Sequence, residues 1–309
     1  MTWTVVSSSP SFGRYSDEPV DLLRASGCRV LLVPRGDRAA LLESLRAADA
    51  WIPGFESVDA DTIGAASELR VVAKCGAGMD NFDLSYLAER GITAVNVPGG
   101  NSDAVAEYAI GQLLALSRGI AANDQSVRAG RWGPVVGTGL SGRTLGVVGF
   151  GRIGQRVAAL ATAFGMRVTA ADPALDTDAL RALGATPCAL PELFRTSDAV
   201  SLHVPLVDAT RDLVGAQELA LLGPRGMLVN CSRGGVVDES ALVDALIAGR
   251  IAGAALDVFA QEPLPAESPL FCAPNLLLSS HTAGYSDTAL ATVTRQCAQN
   301  VLAALGEVA

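Results

Sequence analysis

Along residues 1–98, short runs of β-branched and aliphatic side chains alternate with segments whose apolar positions recur at helical spacing. The runs predict strands over 3–7, 29–33, 50–53, 71–74 and 93–97, because a strand covered on both faces reads as an unbroken apolar stretch. Helices are predicted between them, for instance over 38–47 and over 84–90, the latter closed by Gly91. Strand alternating with helix is the pattern of a parallel sheet flanked by helices. Pro98-Gly99-Gly100 interrupts it and predicts a hinge or domain boundary.

A long helix follows over 103–118, with Val105, Ile110, Leu113, Leu114 and Leu116 on a broad apolar face. A loop rich in glycine and proline is expected over 130–143. A second alternation then begins, with strands near 145–149, 167–171, 199–203, 226–230, 251–256 and 275–279. Six such strands suit a doubly wound, Rossmann-type sheet that binds a dinucleotide. A last helix is expected over 287–305, capped by Asp287. With no strand left to feed, it is expected to pack back on the first domain.

The strongest chemical signal lies where the second alternation starts. Leu145-Gly146-Val147-Val148 runs into Gly149-Phe150-Gly151-Arg152-Ile153-Gly154 and then into a helix with apolar residues at Ile153, Val157, Leu160 and Phe164. Gly149 permits the turn, Gly151 lets the backbone approach a pyrophosphate, and Gly154 lets the helix sit close on the strand. The helix N-terminus offers unpaired N–H groups to the anion. Asp172 stands at the end of the next strand, where a carboxylate accepts hydrogen bonds from an adenosine ribose. It would repel a 2′-phosphate, and Pro173, Ala174 and Leu175 supply no arginine to neutralise one, so NAD (NADH) is favoured over NADP. A flavin also fits a glycine-rich turn, but that turn is expected near the N-terminus rather than in mid-chain.

Composition narrows the field. The 309 residues make room for two domains. A 50% hydrophobic and 18% charged composition favours a packed body over disorder. Lys+Arg 23 against Asp+Glu 32 gives a net charge of −9, a mean field that disfavours nucleic acid and acidic membrane surfaces as partners. Neither a signal peptide nor an apolar run of about 20 residues is seen, so a cytoplasmic protein with no membrane span is expected. Cys28, Cys75, Cys188, Cys231, Cys272 and Cys297 form no Cys-x-x-Cys pair and are read as reduced, mostly buried thiols, with no metal site expected.

The chain has 2 histidines. His281 follows the last predicted strand, Arg233 follows the fourth of the six and Glu262 follows the fifth, all beyond carboxyl ends where open α/β sheets bind ligands. A cation to hold a carboxylate, an imidazole to exchange a proton with a carbonyl, and an acid to keep that imidazole protonated make up a site for reversible hydride transfer. Taken singly, Arg233 is equally a loop salt bridge, Glu262 a solvated turn residue and His281 a capping or core histidine. His203, in His203-Val204-Pro205-Leu206, is read as a cofactor contact or structural residue rather than the acid.

These stretches resemble the D-isomer-specific 2-hydroxyacid dehydrogenase family, most closely its D-3-phosphoglycerate dehydrogenase-like branch. The resemblance is densest over 138–172, 229–263 and 281–286. It implies an α/β fold in which a Rossmann-type domain, 99–282, is inserted in a flavodoxin-like substrate domain, 1–98 with 283–309. It implies that Arg233 holds the substrate carboxylate, His281 donates the proton in reduction and Glu262 keeps the histidine charged. Asp257 would bond the nicotinamide carboxamide, and Arg152 and Ile153 would cradle the pyrophosphate. His203, Val204, Pro205, Cys231, Ser232, Ala283 and Gly284 would line the rest of the cofactor site. Cys75-Gly76-Ala77-Gly78 resembles the loop that meets the substrate carboxylate, and Asn101 sits at the hinge by the same comparison.

Lys74 stands where phosphoglycerate dehydrogenases often carry an arginine, keeping a cation without its bidentate fork. The resemblance therefore implies an NAD-dependent enzyme acting on a small 2-hydroxy or 2-keto acid, with a phosphate or phosphonate tail left open. Hydroxypyruvate, glyoxylate or phosphonopyruvate reduction is the alternative, and an NAD-sensing corepressor is the alternative from another class. A homodimer formed through the cofactor domain is expected from the family. With the sequence ending at Ala309, no appended regulatory domain is expected.

Overall fold

Two parallel sheets organise the computed structural model, which describes residues 2–307. The chain divides into two units, Met1–Asn101 with Tyr285–Ala309, and Ser102–Gly284.

In the first unit the elements run β1 (Thr4–Ser7), α1 (Glu18–Ala25), β2 (Arg29–Leu32), α2 (Arg38–Leu45), β3 (Ala50–Ile52), α3 (Ala60–Ile63), β4 (Val71–Ala73), α4 (Leu84–Glu89) and β5 (Thr93–Val95). The all-parallel sheet has the order β2-β1-β3-β4-β5, that of flavodoxin. Its central strands β3 and β4 are buried at every position, whereas the edge strands β2 and β5 are not, which is why the former read as solid apolar runs. Side chains of Asp37, Asp59 and Asp83 accept backbone N–H groups at the starts of α2, α3 and α4 and fix where those helices begin.

The second unit opens with α5 (Ser102–Arg118) and α6 (Ile120–Arg128). It continues through β6 (Thr144–Val148), α7 (Arg152–Ala163), β7 (Arg167–Ala171), α8 (Thr177–Ala182), β8 (Thr186–Pro187), α9 (Leu190–Thr196) and β9 (Ala199–Leu202). It ends with α10 (Ala216–Leu222), β10 (Met227–Asn230), α11 (Glu239–Ile247), β11 (Gly253–Leu256) and β12 (Leu276–Leu278). The sheet order β12-β11-β10-β9-β6-β7-β8 is that of a doubly wound dinucleotide fold with a seventh strand. One face packs on α5 and α7 through Ile110, Leu113, Phe150 and Val157; the other carries Phe194, Leu219, Leu242 and Leu256.

Two elements depart from the pattern read along the sequence. The sheet has seven strands rather than six, because β8 is a two-residue edge strand ending in proline and carries no alternation to read. α6 was not anticipated either. Gly119, at φ +60°, ends α5, and α6 buries none of its side chains, so it lacks the apolar stripe that reveals a helix.

The chain then returns to the first unit as α12 (Asp287–Glu307), whose Val293, Cys297, Ala298, Val301, Ala304 and Leu305 complete the core beside Val5, Ile52 and Val71. Its cap is Ser286, whose hydroxyl accepts the N–H of Ala289 at 3.1 Å, while Asp287, the expected cap, is the first helical residue. Of the six free cysteines, Cys28, Cys231 and Cys297 are buried, Cys75 and Cys188 are half-buried, and Cys272 is exposed, fewer buried than expected. No described helix is long and apolar enough to cross a membrane.

Candidate active site

Strand register places the predicted residues side by side. Val148 of β6 pairs with Ala171 of β7 and Leu202 of β9, so Gly149, Asp172 and His203 are the first residues past three adjacent strands. Gly149 turns at φ +87°, and a Cβ there would fall 2.6 Å from the His203 carbonyl oxygen. A Cβ on Gly154 would fall 2.2 Å from the Gly149 carbonyl oxygen, so the first turn of α7 can sit on β6 only without one. Gly151 begins that helix and faces open space. A cradle with no side chain over it, ending in the N-terminus of a twelve-residue helix, fits a dinucleotide pyrophosphate.

Asp172 is built into this turn. Its Oδ2 accepts the N–H of Phe150 at 2.7 Å and its Oδ1 that of Ala174 at 2.8 Å. His203 is bonded through Nε2 to Ser201 Oγ at 2.8 Å, while Nδ1 is sealed from solvent with no hydrogen-bond partner among the described residues. Burial lowers the pKa of this ring to about 4, so it is neutral at pH 7. Val204 is buried against Gly149.

A second group forms beyond β10, β11 and β12. The seventh strand renumbers these as fifth, sixth and seventh in the sheet, one later than counted from the sequence. His281 Nδ1 lies 2.8 Å from Glu262 Oε2, and Glu262 Oε1 accepts the N–H of Phe259 at 3.0 Å. Burial raises the Glu262 pKa, but the bonds from His281 and Phe259 and the charges of His281 and Arg233 outweigh it, and the net direction is down. Glu262 is therefore a carboxylate at neutral pH, and Arg233 is near enough to help hold it so.

His281 has φ +53°, a left-handed conformation that a side chain with a Cβ adopts at a cost. The surrounding bonds hold it there. Its own N–H donates to the Asp257 carbonyl at 2.8 Å, and the Asp257 carboxylate accepts Thr282 N–H, Ala283 N–H and Ser279 Oγ. Asp257 is 1% exposed. The residue expected to bond nicotinamide thus also anchors the histidine loop.

Asn230 does the same for the arginine. Its Oδ1 accepts from Ser232 N and Oγ, its Nδ2 donates to the Arg233 carbonyl, and Arg233 Nη1 donates to the Ser232 carbonyl at 2.7 Å. Reading the sequence missed Asn230 as a functional support. The available signal was a polar residue closing the apolar strand Met227-Leu228-Val229. Cys231 and Ser232 are buried beside it, and burial, then the charge of Asp257, raises the Cys231 pKa.

The remaining predicted residues, Lys74, Cys75, Gly76, Ala77, Gly78 and Asn101, belong to the first unit. Lys74 Nζ donates to the Gly54 carbonyl at 2.7 Å and to Asn81 Oδ1 at 3.2 Å, and Cys75 accepts from Ser11 Oγ.

A glycine cradle with an acidic residue one strand away, and a hydrogen-bonded His–Glu pair with an arginine on the same sheet edge, define a dinucleotide-dependent oxidoreductase site. Residues 110–283 match the family model "D-isomer specific 2-hydroxyacid dehydrogenase, NAD binding domain". The chain is 38% identical over 273 residues to a glyoxylate reductase of Korarchaeum cryptofilum, covering 86% of this chain and 82% of that protein. It is 40% identical over 241 residues to a D-3-phosphoglycerate dehydrogenase of Synechocystis, covering 77% of this chain but only 43% of that longer protein. An NADPH-dependent glyoxylate/hydroxypyruvate reductase from Sinorhizobium meliloti, solved with NADP and malonate, superposes with a TM-score of 0.82 at 31% identity, over 97% of this chain and 93% of that one. The chain belongs to the D-isomer-specific 2-hydroxyacid dehydrogenase family, and its second unit is the family's NAD-binding domain.

Proposed function

We propose that the protein interconverts a D-2-hydroxy acid and its 2-keto acid, with NAD preferred over NADP. The observation that carries this reading is the 2.8 Å bond between His281 Nδ1 and Glu262, with the charge of Arg233 alongside. A donor bond from Nδ1 to a carboxylate fixes the ring orientation, so Nε2 is the nitrogen that delivers the proton to the carbonyl oxygen in reduction and takes it back in oxidation. Arg233 holds the substrate carboxylate through its planar fork. When bound, the nicotinamide supplies or accepts the hydride.

Gly149, Gly151, Arg152, Ile153 and Gly154 are assigned to the pyrophosphate and Asp172 to the ribose. His203, Val204, Pro205, Cys231, Ser232, Asp257, Ala283 and Gly284 are assigned to the remainder of the cofactor. In the first unit, backbone N–H groups of Cys75, Gly76, Ala77 and Gly78 are assigned to the substrate carboxylate, with Lys74 as a further substrate contact and Asn101 at the hinge. Relatives named glyoxylate reductase and D-3-phosphoglycerate dehydrogenase, and a solved glyoxylate/hydroxypyruvate reductase, support glyoxylate and hydroxypyruvate as substrates to test beside phosphorylated ones.

The six free thiols suit a reduced, cytoplasmic setting. A homodimer through the second unit is supported by α6, which buries no side chain yet displays Ile120 and Val127, and by Trp132, 92% exposed, in the loop beyond it.

The test follows NADH oxidation with a panel of 2-keto acids, in the wild type and in His281→Ala. Turnover of at least one member is expected, falling by about 10²–10⁴-fold in the variant while NADH fluorescence titration still reports binding. Equal turnover in the two proteins would remove His281 from the chemistry.

A further inference from the structure

The loop that carries Glu262 is held by a carboxylate from another element. Two successive backbone N–H groups of this loop are each taken by a glutamate. Phe259 N–H donates to Glu262 Oε1 at 3.0 Å, within the loop, and Ala260 N–H donates to Glu239 Oε1 at 2.7 Å. Glu239 stands 21 residues earlier, as the first residue of α11.

An acid in the first turn of a helix ordinarily serves that helix, facing its unpaired N–H groups and the positive end of its dipole. In α11 the neighbouring residue already caps the helix: the Asp238 side chain accepts the Ala241 N–H at 3.0 Å. Glu239, half-buried, sends an oxygen to the loop after β11 instead, and the 2.7 Å length is that of a charge-assisted bond.

The same stretch of chain meets that loop a second time. A Cβ on Gly234 would fall 1.8 Å from the Phe259 carbonyl oxygen and 2.6 Å from the Ala260 nitrogen, two atoms of a single peptide group. The Phe259–Ala260 peptide is therefore packed on Gly234 and tied at its N–H by Glu239. Its orientation governs where the chain places Glu262, two residues beyond Ala260. Glu262 Oε2 in turn lies 2.8 Å from His281 Nδ1. The other charges at the pair are Arg233, which acts on Glu262 from the connection between β10 and α11, and Asp257, which holds the N–H groups of Thr282 and Ala283 just past His281.

We propose that Glu239 is a positioning residue for proton transfer: by holding the N–H of the Phe259–Ala260 peptide it sets the loop from which Glu262 reaches His281 Nδ1. This rests on the reading of His281 as the proton donor of a 2-keto acid reductase, and it adds a residue that acts on that donor through the backbone of another loop.

Three variants test it. Glu239→Gln keeps an oxygen that can accept the Ala260 N–H and removes the charge. Glu239→Asp keeps the charge and draws the oxygen back by one methylene, and Glu239→Ala removes both. The measurement is kcat/KM for reduction of the best 2-keto acid of the panel as a function of pH, with the Kd for NADH read by fluorescence titration. Glu239→Gln is expected to stay within about threefold of the wild type, with the same pH profile. Glu239→Asp and Glu239→Ala are expected to lose roughly 10–10²-fold while NADH binding is kept. In both, the alkaline fall of kcat/KM is expected to move down by about half a pH unit or more, because an imidazolium that loses its carboxylate gives up its proton more readily. The place of that fall on the pH axis does not depend on how much of the protein is folded.

An alkaline limb unmoved in Glu239→Asp and Glu239→Ala overturns the proposal, whatever the loss of rate. So does a Glu239→Gln that is as impaired as Glu239→Ala beside an active Glu239→Asp, since the charge would then be serving the dipole of α11. Both results leave the reductase reading intact. A wild type that binds NADH and reduces no member of the panel overturns that reading, and the role of Glu239 with it.

Discussion

Gly234 and Phe259 meet backbone to backbone: a Cβ on Gly234 would lie 1.8 Å from the Phe259 carbonyl oxygen. The contact locks the loop that carries Arg233 against the loop that carries Glu262. Gly234→Ala must push the two apart. It is expected to cost about 1–3 kcal/mol of stability and roughly 10²-fold in kcat/KM, with the kinetic loss persisting in protein shown folded by circular dichroism. Unaltered kinetics in a folded variant would mean that the two loops need no fixed spacing.

His203 makes folding sensitive to acid. Its native pKa of about 4 lies below the ordinary value of 6.5, so the unfolded chain binds the proton first as the pH falls. Stability from the neutral ring is present above pH 6.5 and is lost progressively down to about pH 4, where the native state also protonates. Between pH 7.5 and 4.5 the loss from this group is about 2–3 kcal/mol. Urea unfolding of His203→Gln should show a smaller drop over that interval than the wild type, and an equal drop would place the acid sensitivity elsewhere.

Asp172, assigned above to the ribose, also shapes the glycine turn, since the same carboxylate accepts Phe150 N–H. Asp172→Ala is expected to raise the Kd for NADH about tenfold or more and to bring the NADH-to-NADPH preference toward one. Fluorescence titration with both cofactors checks it. Unchanged discrimination would shift selectivity to another residue.

Trp132, with Val136 at 96% exposure nearby, gives the second unit an uncovered apolar surface. If a second copy covers it, the wild type sediments as a dimer and Trp132→Asp shifts the distribution toward monomer. A monomeric wild type at micromolar concentration would remove the dimer reading.

Much of this was legible in the sequence because it depends on local rules. The turn from Val148 to Gly154 is written in glycines, two of which, Gly149 and Gly154, leave no space for a Cβ, and the buried strands are mostly apolar. What escaped depends on partners distant along the chain. Asn230 looks like a strand terminus until Ser232 and Arg233 fold over it, and the anchoring of the histidine loop by Asp257 shows only once Ser279, Thr282 and Ala283 close on its oxygens. Lys74 reads as a substrate cation, and nothing along the sequence signals that its ammonium also reaches the Gly54 carbonyl. β8 and α6 escaped for a simpler reason: neither carries a buried face with a period to detect.

The return of α12 to the first core has a consequence for synthesis on the ribosome. Val5, Ile52 and Val71 emerge early, but the helix that covers them follows the whole of Ser102–Gly284. At about 5–20 residues per second, that interval lasts on the order of 10–40 s. The second unit, contiguous in the chain, can finish during the wait, while the first sheet stands with one face unsealed until α12 is released.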